Sequence, residues 1–128
     1  MEKTHTMKNP IIPLLLLIYN FGCAETRPWT KTELVMAGAF AVGQVANYGQ
    51  VVSVEEKDGW RELNPFVDGI YNEFGRSGLI AYKVLGTGLL FYAADRLPKY
   101  RPYILGAANV IVWGFVAHDA WVGVGWRF

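Results

Sequence analysis

A chain of 128 residues, 52% of them apolar and 18% charged, is the size of one ordinary domain, yet its apolar residues are gathered into blocks and its charges lie between them. That pattern belongs to membrane spans rather than to a soluble core. The formal net charge of +1 includes no dense Lys/Arg patch, which excludes nucleic acid as a partner, and the single cysteine, Cys23, excludes an intrachain disulfide and a cysteine-pair metal site.

The chain opens with Lys3 and Lys8, continues through an apolar stretch from Ile11 to Phe21 and closes that stretch on Gly22-Cys23-Ala24. A basic start, a short apolar core and small residues ahead of position 25 predict a secretory signal peptide over 1–24. Retained, the same stretch is a short hydrophobic N-terminal helix, because its apolar core falls short of the roughly 20 residues that cross a bilayer. Met7 offers an alternative start. Cys23 reads either as a lipid-acceptor cysteine, for which Gly22 is right and Asn20 wrong, or as an unmodified cysteine of a discarded peptide.

The remainder, 25–128, is expected to be an all-α membrane domain of three spans: one over 30–53, then a helical hairpin over 78–94 and 103–122. Thr30 and Glu33 have capping-box spacing at the start of the first span, and Trp29 suits an interface. The first span is rich in small residues, Ala37, Gly38, Ala39, Ala41, Gly43, Ala46 and Gly49, which let helices approach closely where lipid offers no hydrophobic drive. Between the first two spans, Asn64 suits an N-cap and Pro65 the first helical position. Phe66, Val67, Ile70, Tyr71 and Phe74 follow at helical spacing up to Gly75, predicting an amphipathic connector helix over 64–74 that lies on a membrane surface or folds back on the spans. Trp121 and Trp126 suit an interface after the last span.

Orientation rests on two opposed signals. A signal peptide puts Glu25 outside and the connector in the cytoplasm. The positive-inside rule leans the other way, because Arg27, Lys31, Arg96, Lys99 and Arg101 outnumber Lys57, Arg61, Arg76 and Arg127. The signal peptide decides the expectation.

Polar groups within apolar blocks are the candidate site. Gln44 and Asn47 stand three apart and so share a helix face; turned to lipid, their amides go unsatisfied, so they are expected to point inward. Lys83 either snorkels to the near interface or turns inward to a carboxylate, Glu62 or Asp68. With Asn109 from the last span, and Glu62 and Asn64 from the connector, these residues form an expected network of Gln44, Asn47, Glu62, Asn64, Lys83 and Asn109. It either fixes helix register or serves an ion, proton or small solute. His118 is a weaker candidate: its neighbour Asp119 is adjacent on a helix and expected to diverge from it, and the other histidine, His5, lies in the signal, so neither a metal nor a cofactor is expected. Ser53 and Ser77 lack a nucleophile elbow, and Gly86-x-Gly88 follows no strand, so no nucleotide fingerprint is present.

Gln44 in a first span, Glu62-Leu63-Asn64-Pro65 after it, Lys83 in the next span and Asn109 in the last resemble the pattern of a family of small multi-pass bacterial and archaeal membrane proteins of unknown function, marked by Glu-x-Asn-Pro after the first span. The likeness covers about 33–122 and implies the fold, the polar network and a multi-pass place in a membrane such as the bacterial inner membrane. It implies no activity. The expected role is a non-enzymatic structural or accessory protein whose partners are the lipid bilayer and either a second copy or another membrane protein. The alternative is an oligomeric pore, holin-like or transporter-like element built around the polar network.

Overall fold

The computed structural model describes residues 27–60, 62 and 64–128. The expected signal peptide, with Cys23 and His5, lies outside the described residues. Among the described residues the chain forms three helices and no strand: α1, Lys31–Glu55; α2, Pro65–Arg96; and α3, Arg101–Trp121.

Each start has a local cause. At α1 the capping box forms in both directions: Glu33 N donates to Thr30 Oγ1 at 3.2 Å, and Thr30 N donates to Glu33 Oε2 at 2.8 Å. At α2, Phe66 N donates to Asn64 Oδ1 at 3.1 Å and Pro65 takes the first position, where no amide donor is required. Gly75, with φ 67° and ψ −155°, divides α2 into the connector helix 65–74 and a longer segment 76–96. The expected stop at Gly75 is therefore a sharp kink, because the backbone re-enters a helix at once. The longer segment is about 30 Å long at 1.5 Å per residue and contains the expected span 78–94.

The kink folds the connector helix back. Val67 is buried against Val51 and Val52 of α1 and Leu79 of α2, with Tyr48 and Tyr71 packed on the same cluster, and the Phe66 ring meets Tyr82 at 5.6 Å. A second cluster, Phe40 with Ala108 and Val112, takes Leu90 and Phe91 along its side. The hairpin expectation needs a change of emphasis. α2 and α3 are joined by a short turn but touch each other least; both pack chiefly on α1. Small residues make that possible. A Cβ on Gly43 would stand 2.8 Å from Val112 Cγ1 and 3.2 Å from the Trp113 indole, whose Nε1 donates to Ala39 O at 3.1 Å.

Two helices, α2 and α3, are long and apolar enough to cross a membrane. Only 11% and 17% of their most apolar stretches are buried within the chain. A core helix of a soluble protein would bury most of such a stretch, so these two offer their apolar side chains to their surroundings.

The backbone at Gly75 lies in a region that is almost glycine-only. Gly75→Ala is expected to lower equilibrium stability by about 1–3 kcal/mol. Gly38→Ala, at a helical position where a Cβ meets nothing, is expected to raise it by about 0.5–1 kcal/mol. Denaturant titration of the two variants beside the parent chain checks both signs.

Candidate functional site

Gln44 and Asn47 come off one face of α1, and Lys83 reaches them from α2. The ammonium donates to Gln44 Oε1 at 3.0 Å and to Asn47 Oδ1 at 2.7 Å. Because an ammonium only donates, the oxygens of both amides must be the atoms that face it. Lys83 therefore turns inward, but to two neutral amides and not to a carboxylate. Glu62 acts on it only through its field, and Glu62 Oε1 accepts from Asn64 N at 3.2 Å. Beside Lys83 an almost wholly apolar groove of about 460 Å³ lies between α1 and α2, lined among others by Val45, Ile80, Val84, Thr87 and Phe91.

The other expected members of the network stand apart. Asn64 is occupied as the cap of α2. Asn109 meets α1 about three turns before Asn47, donating to Met36 O at 2.9 Å and to Leu105 O at 2.8 Å, so it ties α3 to α1 away from Lys83. One of its two bonds is to the carbonyl four residues back on its own helix. The expected single network thus resolves into the Gln44–Asn47–Lys83 group and separate local bonds. His118 is exposed, and its Nδ1 lies 3.3 Å from Asp119 Oδ1. The expectation that these neighbours diverge is corrected, because at the last turn of α3 both side chains bend along the same surface.

The most densely bonded polar group was not singled out by sequence. Arg101, fully buried at the start of α3, donates from Nε to Ala94 O at 3.0 Å, from one amino group to Glu33 Oε2 at 3.2 Å, and from the other to Arg27 O at 2.9 Å. Its guanidinium lies over the Trp29 ring at 4.6 Å, and the Trp29 Nε1 donates to Asp95 Oδ1 at 2.9 Å. Arg27 closes the group by pairing with Glu33. Trp29, expected to suit an interface, takes part in this group. Glu33 and Arg101 stand in the first turns of α1 and α3, so their pairing requires the two helices to run side by side in the same direction, which nothing in the sequence announces.

At the connector end the polar chemistry is different. Glu56 accepts from Arg76 Nε at 2.7 Å, from its second nitrogen at 2.8 Å, and from the Tyr71 hydroxyl at 2.8 Å, while Arg127 approaches at 3.4 Å. These donors hold the Glu56 carboxyl down at about 2. Next to it, burial and the Asp68 carboxylate push Glu55 up from 4.5 to about 7. Gln50, also missed by sequence although it continues the three-residue spacing of Gln44 and Asn47, is fully buried and donates to Val116 O at 2.9 Å.

Among the described residues no group of three His, Cys, Asp or Glu side chains is placed to hold a metal ion. The chemistry available is that of a desolvated ammonium on two amides beside an apolar groove. In comparisons with known proteins, no family model, no curated protein and no solved structure matches this chain.

Removing a buried, multiply bonded cation leaves its partners stranded. Arg101→Met is expected to cost about 3–5 kcal/mol, and Arg101→Lys to recover only part of it, because an ammonium cannot reproduce the forked donors. Paired thermal unfolding of the two variants checks this.

A pH profile tests the connector end. Glu55 binds its proton more tightly folded than unfolded, so its contribution is full below about 4.5 and is lost as pH rises through about 7. Glu56 works oppositely, contributing above 4.5 and losing that as pH falls through about 2. Thermal midpoints are expected to decline between mildly acidic and mildly alkaline pH, and Glu55→Gln to flatten that limb.

Proposed function

We propose that this chain is a non-enzymatic integral membrane protein with three spans, 30–53, 78–94 and 103–122, which acts by packing with a second copy of itself or with another membrane protein. The observation that carries this reading is the outward apolar surface of α2 and α3: Val84, Leu85 and Leu89 on one, and Val110, Ile111 and Phe115 on the other, are 55–75% exposed. Water around that surface would be unfavourable by about 25 cal/mol for each Å².

The distribution of polar groups in α1 supports its place as a third span. Its three amides are turned inward, two to Lys83 and the third to Val116 O, while Leu34, Val35, Val42 and Val45 face outward. A helix that hides its amides and shows its valines suits a hydrocarbon solvent. The exposed Trp121 and Trp126 suit an interface at the far end of α3. The resemblance to Glu-x-Asn-Pro membrane proteins belongs to the same proposal, as does a multi-pass location in a bacterial inner membrane.

Packing outward is suggested by glycines the fold itself does not use. A Cβ added at Gly38, Gly86, Gly88 or Gly114 would meet nothing within 4 Å, although glycine inside a helix costs about 1 kcal/mol relative to alanine. Such positions leave flat surfaces against which a neighbouring helix can pack. A second reading, an oligomeric pore or transporter-like element, draws on Lys83, an ionisable group held by two neutral amides within a span.

The chain is expected to stay with membranes through alkaline carbonate extraction, and crosslinking in mild detergent to capture an oligomer or a co-purifying membrane protein. Gly114→Leu is expected to reduce that capture with no change in helix content. Extraction into the soluble fraction, or a monomer alone, would refute the reading. The pore alternative predicts conductance that changes with Lys83→Ala.

A further inference from the structure

We propose that the end of the bundle where the turn between α2 and α3 meets the start of α1 is a docking surface for the headgroups of anionic phospholipids. Lys31 and Lys99 are its outward cations, and Tyr92, Tyr100 and Tyr103 its aromatic rim. The inference rests on the membrane reading above and goes beyond it by stating which lipid the chain selects and at which end.

Charge is divided between the two ends of the bundle. Residues 27–33 and 95–101 carry five bases, Arg27, Lys31, Arg96, Lys99 and Arg101, against two acids, Glu33 and Asp95. With Glu25 counted, the bases still lead by five to three. Residues 55–76, at the opposite end, carry six acids and three bases. The fold brings the two basic segments together: Arg101 reaches Glu33 and Arg27 O, and Arg27 donates to Pro98 O at 3.4 Å.

Burial then decides which charges face outward. Arg101 and Glu33 are both buried and bonded to each other, so that pair offers nothing to a partner. Asp95 accepts from the Trp29 indole. Lys31 and Lys99 are exposed, and among the described residues no carboxylate is bonded to either. Arg27, although paired with Glu33, keeps 48% of its side chain exposed. The charge presented to the surroundings at this end is therefore positive.

Depth and aromatic content favour lipid as the partner. The turn lies between the ends of two spans, at residues 94 and 103, and Lys31 follows the start of the third at residue 30, so these cations stand at the level of the phosphates, where basic residues are drawn to an anionic leaflet. Tyr92, Tyr100 and Tyr103 are 43%, 53% and 75% exposed, and tyrosine is enriched at that level. The Lys99 ammonium lies 5.8 Å from the centre of the Tyr100 ring and the Arg96 guanidinium 5.2 Å from that of Tyr92, which keeps both cations beside the rings. Cations carried by separate segments suit several headgroups side by side. An acidic protein would also answer to the charge, but it would not account for tyrosines set around the cations flush with the apolar spans.

The test uses the full chain in phosphatidylcholine vesicles at neutral pH and low salt, with spin-labelled phosphatidylglycerol and phosphatidylcholine as probes and the motionally restricted fraction as the readout. Phosphatidylglycerol is expected to be preferred about fivefold, the factor carried by one cation near an anionic surface, and the preference to weaken in high salt. Lys31→Gln combined with Lys99→Gln is expected to bring the ratio to within about twofold of parity, with unchanged circular dichroism. Lys31→Arg combined with Lys99→Arg is expected to keep the preference, as is Lys57→Gln, which removes a cation from the acidic end. Equal restriction of the two lipids overturns this inference alone, and retention of such a chain on immobilised polyglutamate would then assign the end to an acidic protein. A preference that survives the double glutamine variant overturns it as well. No restricted component for either probe overturns the membrane reading together with it.

Discussion

One guanidinium holds the three helices in register. Arg101 binds the carbonyl before α1, the acid in the first turn of α1, and the last turn of α2, and it does so from the first residue of α3. Because the group is fully buried, each bond is made without competition from water, and each unmade bond would leave a stranded polar atom. The four-residue turn between α2 and α3 must therefore close in the one way that delivers this side chain to Glu33. Once it does, α3 lies along α1, and Phe40, Ala108 and Val112 meet.

The two ends of the bundle are fastened by opposite strategies. At the Arg101 end a buried charge is matched by carboxylates, carbonyls and an aromatic face. At the connector end Glu56 gathers Arg76, Tyr71 and Arg127 on an exposed surface, where water competes and each pair contributes little. The connector end depends instead on Val67 and Leu79 packing against Val51 and Val52. There the half-buried Glu55 lies near the Asp68 carboxylate, and burial together with that charge raises its pKa to about 7, so this end responds to pH. The tail adds to the second end: Arg127 N donates to Gly49 O at 3.0 Å, and the Phe128 ring lies where a side chain at residue 49 would need to be.

What could be read from the sequence divides along the range of the interactions. Capping at Thr30 and Asn64, a break at Gly75, though read as a stop and not as a kink, and the inward turn of Gln44 and Asn47 each depend on residues within a turn of one another, and local chemistry exposes them. The Lys83 contact crosses helices and was legible only in part: its gathering with the two amides was expected, but the partner expected to receive its charge was a carboxylate, Glu62 or Asp68. Arg101 was not legible, because beside Lys99 and Arg96 it looks like any charge in a polar turn; only the packing of α3 on α1 reveals that it faces inward. Asn109 failed for a related reason. Its sequence position suggested that it shares a depth with Lys83, but it meets α1 at Met36, about 16 Å of helix before Asn47. Which turn of α1 a residue of α3 reaches depends on how the two helices are set against each other lengthwise, and that requires the packing.

The choice of amides rather than a carboxylate as partners of Lys83 bears on what the group can do. A Lys–Glu pair would be electrically complete and would hold its helices together with nothing left to offer. Two amides fix the ammonium in place and leave its charge intact, while keeping donors of their own beside it. The Lys83 group thus braces α2 against α1 through one donor group shared between two acceptors, whereas Arg101 braces α3 through a charge matched by a carboxylate.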